Sequence, residues 1–340
     1  MPLVSRQEDA RLLRLAGRRQ VKFGKALTLS TPMLVPSFSS RVPEVEKPFR
    51  ASEEFICGPL LISAYDVGHR LLLPPYDFGS AIFLDSGGYE ISKIVDLSDV
   101  SDQGDSPKRR KWSEQDHAAV LAGWKPRVPS AIVSYDHPKR RHPVKEQIKR
   151  AKKMNLPRED MAREIPLKPE TETQDFIQLD AVLANVRGLA AFEIVGVTEK
   201  EIGNSVLERM VNIARLRQAL TAIGLSTPIH MFGSLDTVTT LFYFVAGADI
   251  FDGLTWLRYA FKQGRTLYRH DFGISDLGIS TRTYSVEAQC WHRNYGYMKD
   301  MELEMNRFPI NYDFGVFEYH SKSLKSAHKS VEAALAALGA

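Results

Sequence analysis

Between residues 33 and 252 the chain alternates short apolar, β-branched runs with longer amphipathic stretches, eight runs in all, and this alternation limits the folds open to it. The expected strands are Met33 to Phe38, Pro59 to Ala64, Ala81 to Asp85, Ala131 to Asp136, Glu164 to Lys168, Ala191 to Val197, Pro228 to Phe232 and Asp249 to Asp252. Helical patterning falls between them, clearest at Ser113 to Ala122, Val144 to Met154, Thr173 to Ala184, Asn204 to Ala222 and Ser234 to Ala246, the last with Ser234 and Asp236 in its N-cap region. Alternation, rather than blocks of one type, defines the α/β class, and eight strands favour a closed parallel (β/α)8 TIM barrel over an open sheet. Functional groups of such barrels sit at the C-terminal ends of the strands. Asp85, Asp136, Lys168, Phe232 and Asp252 all fall at such ends.

Two long segments interrupt the pattern. Ile91 to Trp112 is polar and closes on Lys108-Arg109-Arg110-Lys111, which predicts a mobile loop over the barrel mouth. From Tyr268 onward the chain is rich in Tyr, His and Asp and finishes in an Ala-rich helix, Ser321 to Leu338. The expected division is therefore a barrel over 1–267 and a C-terminal subdomain over 268–340 packed on it. A chain of 340 residues, 44% hydrophobic and 25% charged, fits an ordinary globular protein with a large core. No apolar run approaches the roughly 18 residues that span a bilayer, so no membrane partner is expected. The Arg-rich start lacks a signal-peptide core, and two cysteines, Cys57 and Cys290, agree with a reducing compartment; the expected location is the cytoplasm. The net charge of +4 is modest, but basic clusters occur at Arg14 to Lys25, Lys108 to Lys111, Lys139-Arg140-Arg141-His142 and Lys149 to Lys153. Each reads either as a solvated face or, where it follows a strand end, as a phosphate contact.

Two segments share one construction, an apolar run, a terminal aspartate and then glycine. In Phe83-Leu84-Asp85-Ser86-Gly87-Gly88-Tyr89-Glu90 the strand breaks into a Gly-Gly turn directly after a carboxylate, and backbone without Cβ atoms leaves room for a flat ligand to approach. Ala246 to Gly253 repeats the arrangement around Asp252. Two strand-end carboxylates on one chain suggest chemistry.

These pieces resemble the tRNA-guanine transglycosylase superfamily, in the order in which that family carries them. They are Thr31-Pro32-Met33-Leu34-Val35-Pro36, then Leu84-Asp85-Ser86-Gly87-Gly88-Tyr89, then Ile132-Val133-Ser134-Tyr135-Asp136, and lastly Asp249-Ile250-Phe251-Asp252. The resemblance implies a pentosyltransferase that exchanges guanine in a polynucleotide for a 7-deazaguanine base through a covalent glycosyl intermediate, with no cofactor for the chemistry. It implies Asp252 as nucleophile and Asp85 as the acid and base that handles the proton of the heterocycle. It implies Asp136 as acceptor from the N1–H and amine edge of the base, supported by Ser86, Gly87 and Gly88. Tyr89 matches the family's stacking aromatic, and Phe232, ahead of Gly233, stands where a second one is expected or else packs in the barrel core. Gly196 lies at the strand end that borders the 7-substituent.

The chain departs from the family at several of these points. Glu90 replaces a glutamine, the fifth strand ends on Lys168, and the family's glycine-rich strand end reads Ile194-Val195-Gly196-Val197-Thr198-Glu199. The family's structural zinc site, Cys-x-Cys-x2-Cys and a later histidine, is reduced to Cys290, His292 and His320, with Tyr295 in place of the remaining cysteine and His328 as a further histidine. These residues are expected either to hold zinc or to act as an apolar Cys290 and two hydrogen-bonded histidines. The eroded zinc motif and the lack of an appended RNA-binding segment favour DNA over tRNA as the nucleic-acid partner; tRNA is the alternative, as is a catalytically silent partner subunit. Family resemblance also implies a homodimer.

Overall fold

The computed structural model describes residues 13–92, 109–137 and 139–339; most of the expected loop Ile91 to Trp112, Lys108 included, lies outside the described residues. The strands are β1 Gln20–Phe23, β2 Leu27–Ser30, β3 Met33–Phe38, β4 Leu60–Ser63, β5 Ile82–Asp85, β6 Ser130–Val133, β7 Met161–Leu167, β8 Ile194–Thr198, β9 Ile229–Phe232, β10 Ile250–Gly253, β11 Ala260–Lys262 and β12 Arg265–Leu267. Strands β3 to β10 pair in chain order, all parallel, and β10 pairs back onto β3, so the sheet closes into an eight-stranded barrel with helices around it. This is the (β/α)8 architecture that the alternation predicts.

Side chains of a strand alternate between its two faces, and here the alternation sorts the core into two sets. Leu34, Ile62, Ile82, Leu84, Ile132, Ile165, Val195, Ile229, Met231 and Phe251 face outward into the large cluster shared with the helices. Met33, Val35, Leu61, Phe83, Ala131, Ala162, Ile194 and Ile250 face inward, where Val21 and Phe23 of the β1–β2 hairpin join them and fill the lumen at its N-terminal end. The same parity carries upward along each strand. It turns Ser37, Asp85, Glu164, Gly196, His230, Phe232 and Asp252 into the barrel above the apolar layer.

The N-terminal end of β10 is held by a buried charge cluster. Asp249, fully buried, accepts from Arg19 Nη1 at 2.6 Å, from the buried Arg217 at 2.5 Å and from the Ile229 amide at 2.8 Å.

Three local expectations differ from the structure. Strand β6 stops at Val133, so Asp136 sits on the loop beyond it. The helix expected over Thr173 to Ala184 forms only at Leu179–Ala184, because the Gln174 side chain instead ties down the Glu170 and Thr171 amides in a turn. The helix expected from Ser234 begins at Thr239; the Asp236 carboxylate accepts from the Val238 and Thr239 amides at 2.6 and 2.8 Å, and Ser234 belongs to the loop. A 29-residue helix, Thr283–Asn311, lies where the sequence pattern gave no helix. Its Met298, Met301, Met305 and Phe308 join the outward-facing core of the barrel, and Asn294 clips it to the backbone of Trp256, Tyr259 and Phe261. The final helix, Ser321–Gly339, packs on Val206–Ala222.

Removing one partner of a buried ion pair leaves the other charge unpaired in a dry site, which costs about 3–5 kcal/mol. Asp249→Ala is therefore expected to destabilise the chain by about that amount in urea unfolding, and a loss below about 1 kcal/mol would contradict the anchoring role given to this cluster.

Candidate active site

The C-terminal mouth of the barrel gathers the residues that the sequence singles out. Asp252 closes β10 and is almost fully buried. Its Oδ2 accepts from Ser37 Oγ at 2.8 Å and its Oδ1 from the Gly233 amide at 3.0 Å, while His230 Nε2 lies 3.3 Å from the same Oδ1. On the far side of His230, Nδ1 meets Glu164 Oε1 at 2.7 Å, with both side chains fully buried. Burial alone would push the imidazole down, but the charges of Glu164 and Asp252 outweigh it and raise His230 to about 10, so the ring carries its proton at neutral pH. Gly196, between Glu164 and His230 in the barrel, is required there: a Cβ would stand 2.9 Å from Glu164 Oε1 and 2.3 Å from the Phe232 ring.

Asp85, at the end of β5, has the opposite environment. Burial, then the charges of Glu90 and Asp136, push it well above the usual carboxylate range, with only the Gly87 amide, 3.1 Å away, acting against them. Asp252 also contributes to this upward push, so the two strand-end carboxyls feel each other across the mouth. Glu90 lies behind Asp85, accepts from Ser39 at 2.5 Å and Ser63 at 2.8 Å, and is raised to about 7 by burial and by the charge of Asp66. Asp66, buried and bonded to the Ser40 amide, is itself raised to about 6. Environments that separate the protonation of neighbouring groups in this way are the usual mark of acid and base roles.

Asp136 comes to the mouth from the loop after β6. Ser86 Oγ donates to its Oδ1, and the Lys168 ammonium stands 3.6 Å from its Oδ2. Lys168 also donates to Thr198 at 2.7 Å and Glu201 at 3.0 Å. Burial pulls Lys168 down, but Glu201 and Asp136 outweigh it and hold it above its ordinary value. Asp136 and Lys168 line a cavity of about 350 Å³ with Trp112, Tyr135, Arg140, Arg141 and Pro166, a size typical of small-ligand clefts. Asp85 and Asp252 do not form its walls; the cavity opens to the Asp136 side of the mouth.

The paired glycines do something other than leave room for a ligand. A Cβ on Gly87, whose φ is +88°, would lie 2.7 Å from the Trp112 indole nitrogen, and one on Gly88 would lie 2.8 Å from Asp136 Oδ1. The missing side chains thus admit Trp112, which donates to the Ser86 carbonyl at 2.9 Å, and the Asp136 carboxylate. Gly233, with φ +80°, has open space where its Cβ would be. Tyr89 is exposed at the rim with the Arg41 guanidinium 5.0 Å above its ring. Phe232 is half-buried and tilts against His230 at 4.2 Å, which puts it in the wall of the mouth and in contact with the inner core together.

The expected zinc residues are not brought together. Cys290 packs with Ala260 and Phe272, His292 meets the Phe55 ring edge-on, His320 bonds the Gly264 carbonyl at 2.9 Å, and His328 bonds the Leu13 carbonyl at 2.8 Å. The Tyr295 hydroxyl accepts from the Gly58 amide at 3.0 Å and from the Cys57 amide at 3.2 Å. Among the described residues no group of three His, Cys, Asp or Glu side chains is arranged to hold a metal ion. Among them, too, no helix is long and apolar enough to cross a membrane. Of the basic clusters, Arg109, Lys111, Lys139 and Arg140 are exposed near the mouth, whereas Arg141 and Arg150 are paired with Glu201 and Glu114.

Sequence reasoning did not assign Glu164 or His230 to the site. Their signal was available: each is a charged or titratable residue inside an apolar strand, at the inward parity of Asp85 and Asp252. No protein-family model and no curated protein matches the sequence.

A carboxyl whose pKa is higher in the folded chain withdraws stability as pH rises from the ordinary value of 4.5 to the folded value, about 7 for Glu90. The chain is expected to lose stability across that window, and Glu90→Gln to lose less of it. Urea midpoints at pH 5 and pH 7.5 check this; the same pH dependence in both proteins would contradict the buried, proton-holding state of Glu90.

Proposed function

We propose that the chain is a base-exchange enzyme that replaces guanine in a polynucleotide with a 7-deazaguanine through a covalent aspartyl-glycosyl intermediate. The observation that carries this reading is the pairing across one barrel mouth of a hydrogen-bonded carboxylate, Asp252, with a carboxyl, Asp85, that burial and the charges of Glu90 and Asp136 push well above the usual carboxylate range. In the first half-reaction an Asp252 oxygen attacks C1′, the C1′–N9 bond breaks with its electron pair going to the base, and the departing guanine takes a proton from Asp85. The second half-reaction runs in the reverse sense. N9 of the incoming base attacks C1′, the ester bond breaks to return the Asp252 carboxylate, and Asp85 receives the N9 proton. Two displacements at one carbon retain its configuration.

Recognition of the base falls to Asp136, whose acceptor oxygens suit the N1–H and amino edge of a guanine-like ring. The Lys168 ammonium beside it suits an exocyclic oxygen, a pattern that adenine reverses. Tyr89 at the rim and Phe232 in the wall supply aromatic faces for a flipped base. The order of the motifs around Asp85, Asp136 and Asp252 resembles that of the tRNA-guanine transglycosylases and supports this substrate class. The dispersal of Cys290, His292 and His320 favours DNA over tRNA, because the family's zinc subdomain helps to hold tRNA. Exposed Arg109, Lys111, Lys139 and Arg140 would meet the phosphates.

Incubation with radiolabelled guanine and guanine-containing DNA or unmodified tRNA tests the proposal. Label is expected in DNA, and Asp252→Asn is expected to lower it at least about 10³-fold while thermal stability is kept. Label in tRNA alone would reassign the polynucleotide, and label in neither would overturn the exchange reaction.

A further inference from the structure

We infer that Glu164 and His230 are positioning residues that fix the Asp252 carboxylate from below, so that Oδ2 is its attacking atom and its negative charge is stabilised when the glycosyl ester breaks. This inference rests on the proposed base exchange. It starts from the topology: Glu164 on β7, His230 on β9 and Asp252 on β10 all point into the lumen, and Gly196 on β8 leaves the gap through which Glu164 reaches His230.

A carboxylate oxygen offers two lone pairs in its plane. Oδ1 of Asp252 faces two donors, the Gly233 amide at 3.0 Å and His230 Nε2 at 3.3 Å; Oδ2 faces one, Ser37 Oγ at 2.8 Å. Oδ1 is thus flanked by two N–H groups and Oδ2 by one hydroxyl, which makes Oδ2 the oxygen freer to reach a carbon at the mouth. The same count gives the second half-reaction its assistance. While the ester exists, Oδ1 is a neutral carbonyl oxygen; when the C1′–O bond breaks, the electron pair returns to the carboxylate and the charge meets a fixed N–H donor on a cation. The contact of 3.3 Å, too oblique for a good hydrogen bond in the free chain, has room to shorten as that charge develops.

The charges around the imidazole explain why it can act this way. Glu164 faces it from β7 and Asp252 from β10; the Phe83 and Phe232 rings, at 5.7 and 4.2 Å, cover it from β5 and β9, and Asp85 faces Asp252 from across the mouth. A neutral imidazole would leave Glu164 and Asp252 as two buried like charges with no cation between them. Glu164, whose Oε1 meets His230 Nδ1 while its Oε2 has no hydrogen-bond partner among the described residues, therefore serves to hold the proton on His230.

The test compares the unmodified chain with Glu164→Gln and His230→Gln in steady-state exchange of labelled guanine over pH 5 to 10. Glu164→Gln is expected to lower kcat on the order of 10- to 100-fold, leave KM for the base within about twofold, and move the alkaline limb of the rate at least one pH unit lower. His230→Gln is expected to lose the same factor and to leave only the alkaline limb of Asp85, which adding Glu164→Gln does not move. If both variants keep the parent's kcat and pH profile, the inference is overturned while the exchange reaction stands. If the unmodified chain exchanges no base, the proposed function falls and the inference falls with it. Should either variant fail to fold, nitrogen-15 spectra of the unmodified, histidine-labelled chain decide: an imidazolium at pH 8 supports the inference, and a ring that titrates near 6.5 overturns it.

Discussion

A closed barrel gives an inward-facing charge no sideways path to water, so each such charge must be balanced by another inside the lumen or surrender its charge to a proton. Both solutions occur in this mouth. Glu164, His230 and Asp252 form a run of alternating sign in which the cation is held between two carboxylates. Among the described residues no cation is paired with Asp85, Glu90 or Asp66, and burial with mutual repulsion pushes each of them upward. One dry layer thus contains a hydrogen-bonded carboxylate on one side and, on the other, carboxyls pushed toward their protonated form. That division follows from the placement of a single histidine on β9.

Space in the mouth is shaped by absence of side chains. Gly196 lets Glu164 cross to His230 and lets Phe232 lie against the barrel wall; Gly87 and Gly88 admit Trp112 and the Asp136 carboxylate. The glycines are therefore filled by the chain's own groups, and what they produce is a set of side chains fixed before any ligand arrives. Asp136 is locked by Ser86 and faced by Lys168, and Asp252 by Ser37 and Gly233. Fixed groups of this kind need little reorganisation during reaction, which is where most electrostatic catalysis arises.

The barrel was legible because each strand is a short apolar run and the segments between are amphipathic, and the expected strands fall within a few residues of β3 to β10. Asp85 and Asp252 were legible as strand ends followed by glycine. Glu164 and His230 showed only as titratable residues at inward parity within apolar runs; their pairing was not legible, since they are far apart in sequence and only closure of the barrel brings them together. The helix Thr283–Asn311 was missed because its aromatic, Asn and His residues are weak helix formers and Pro309 lies near its end; burial of its methionine face, not propensity, stabilises it. Cys290, His292 and His320 were read through a resemblance that fixed their register but carried no information on whether their side chains converge.

The central claim is that Asp252 forms the bond to the sugar. Denaturing the enzyme during turnover on guanine-containing DNA, digesting both polymers and locating the sugar-bearing peptide by mass spectrometry tests it most directly. The account predicts a deoxyribosyl adduct on the peptide that contains Asp252, lost in Asp252→Asn; an adduct on another residue, or turnover with no adduct under conditions that trap one, would contradict it.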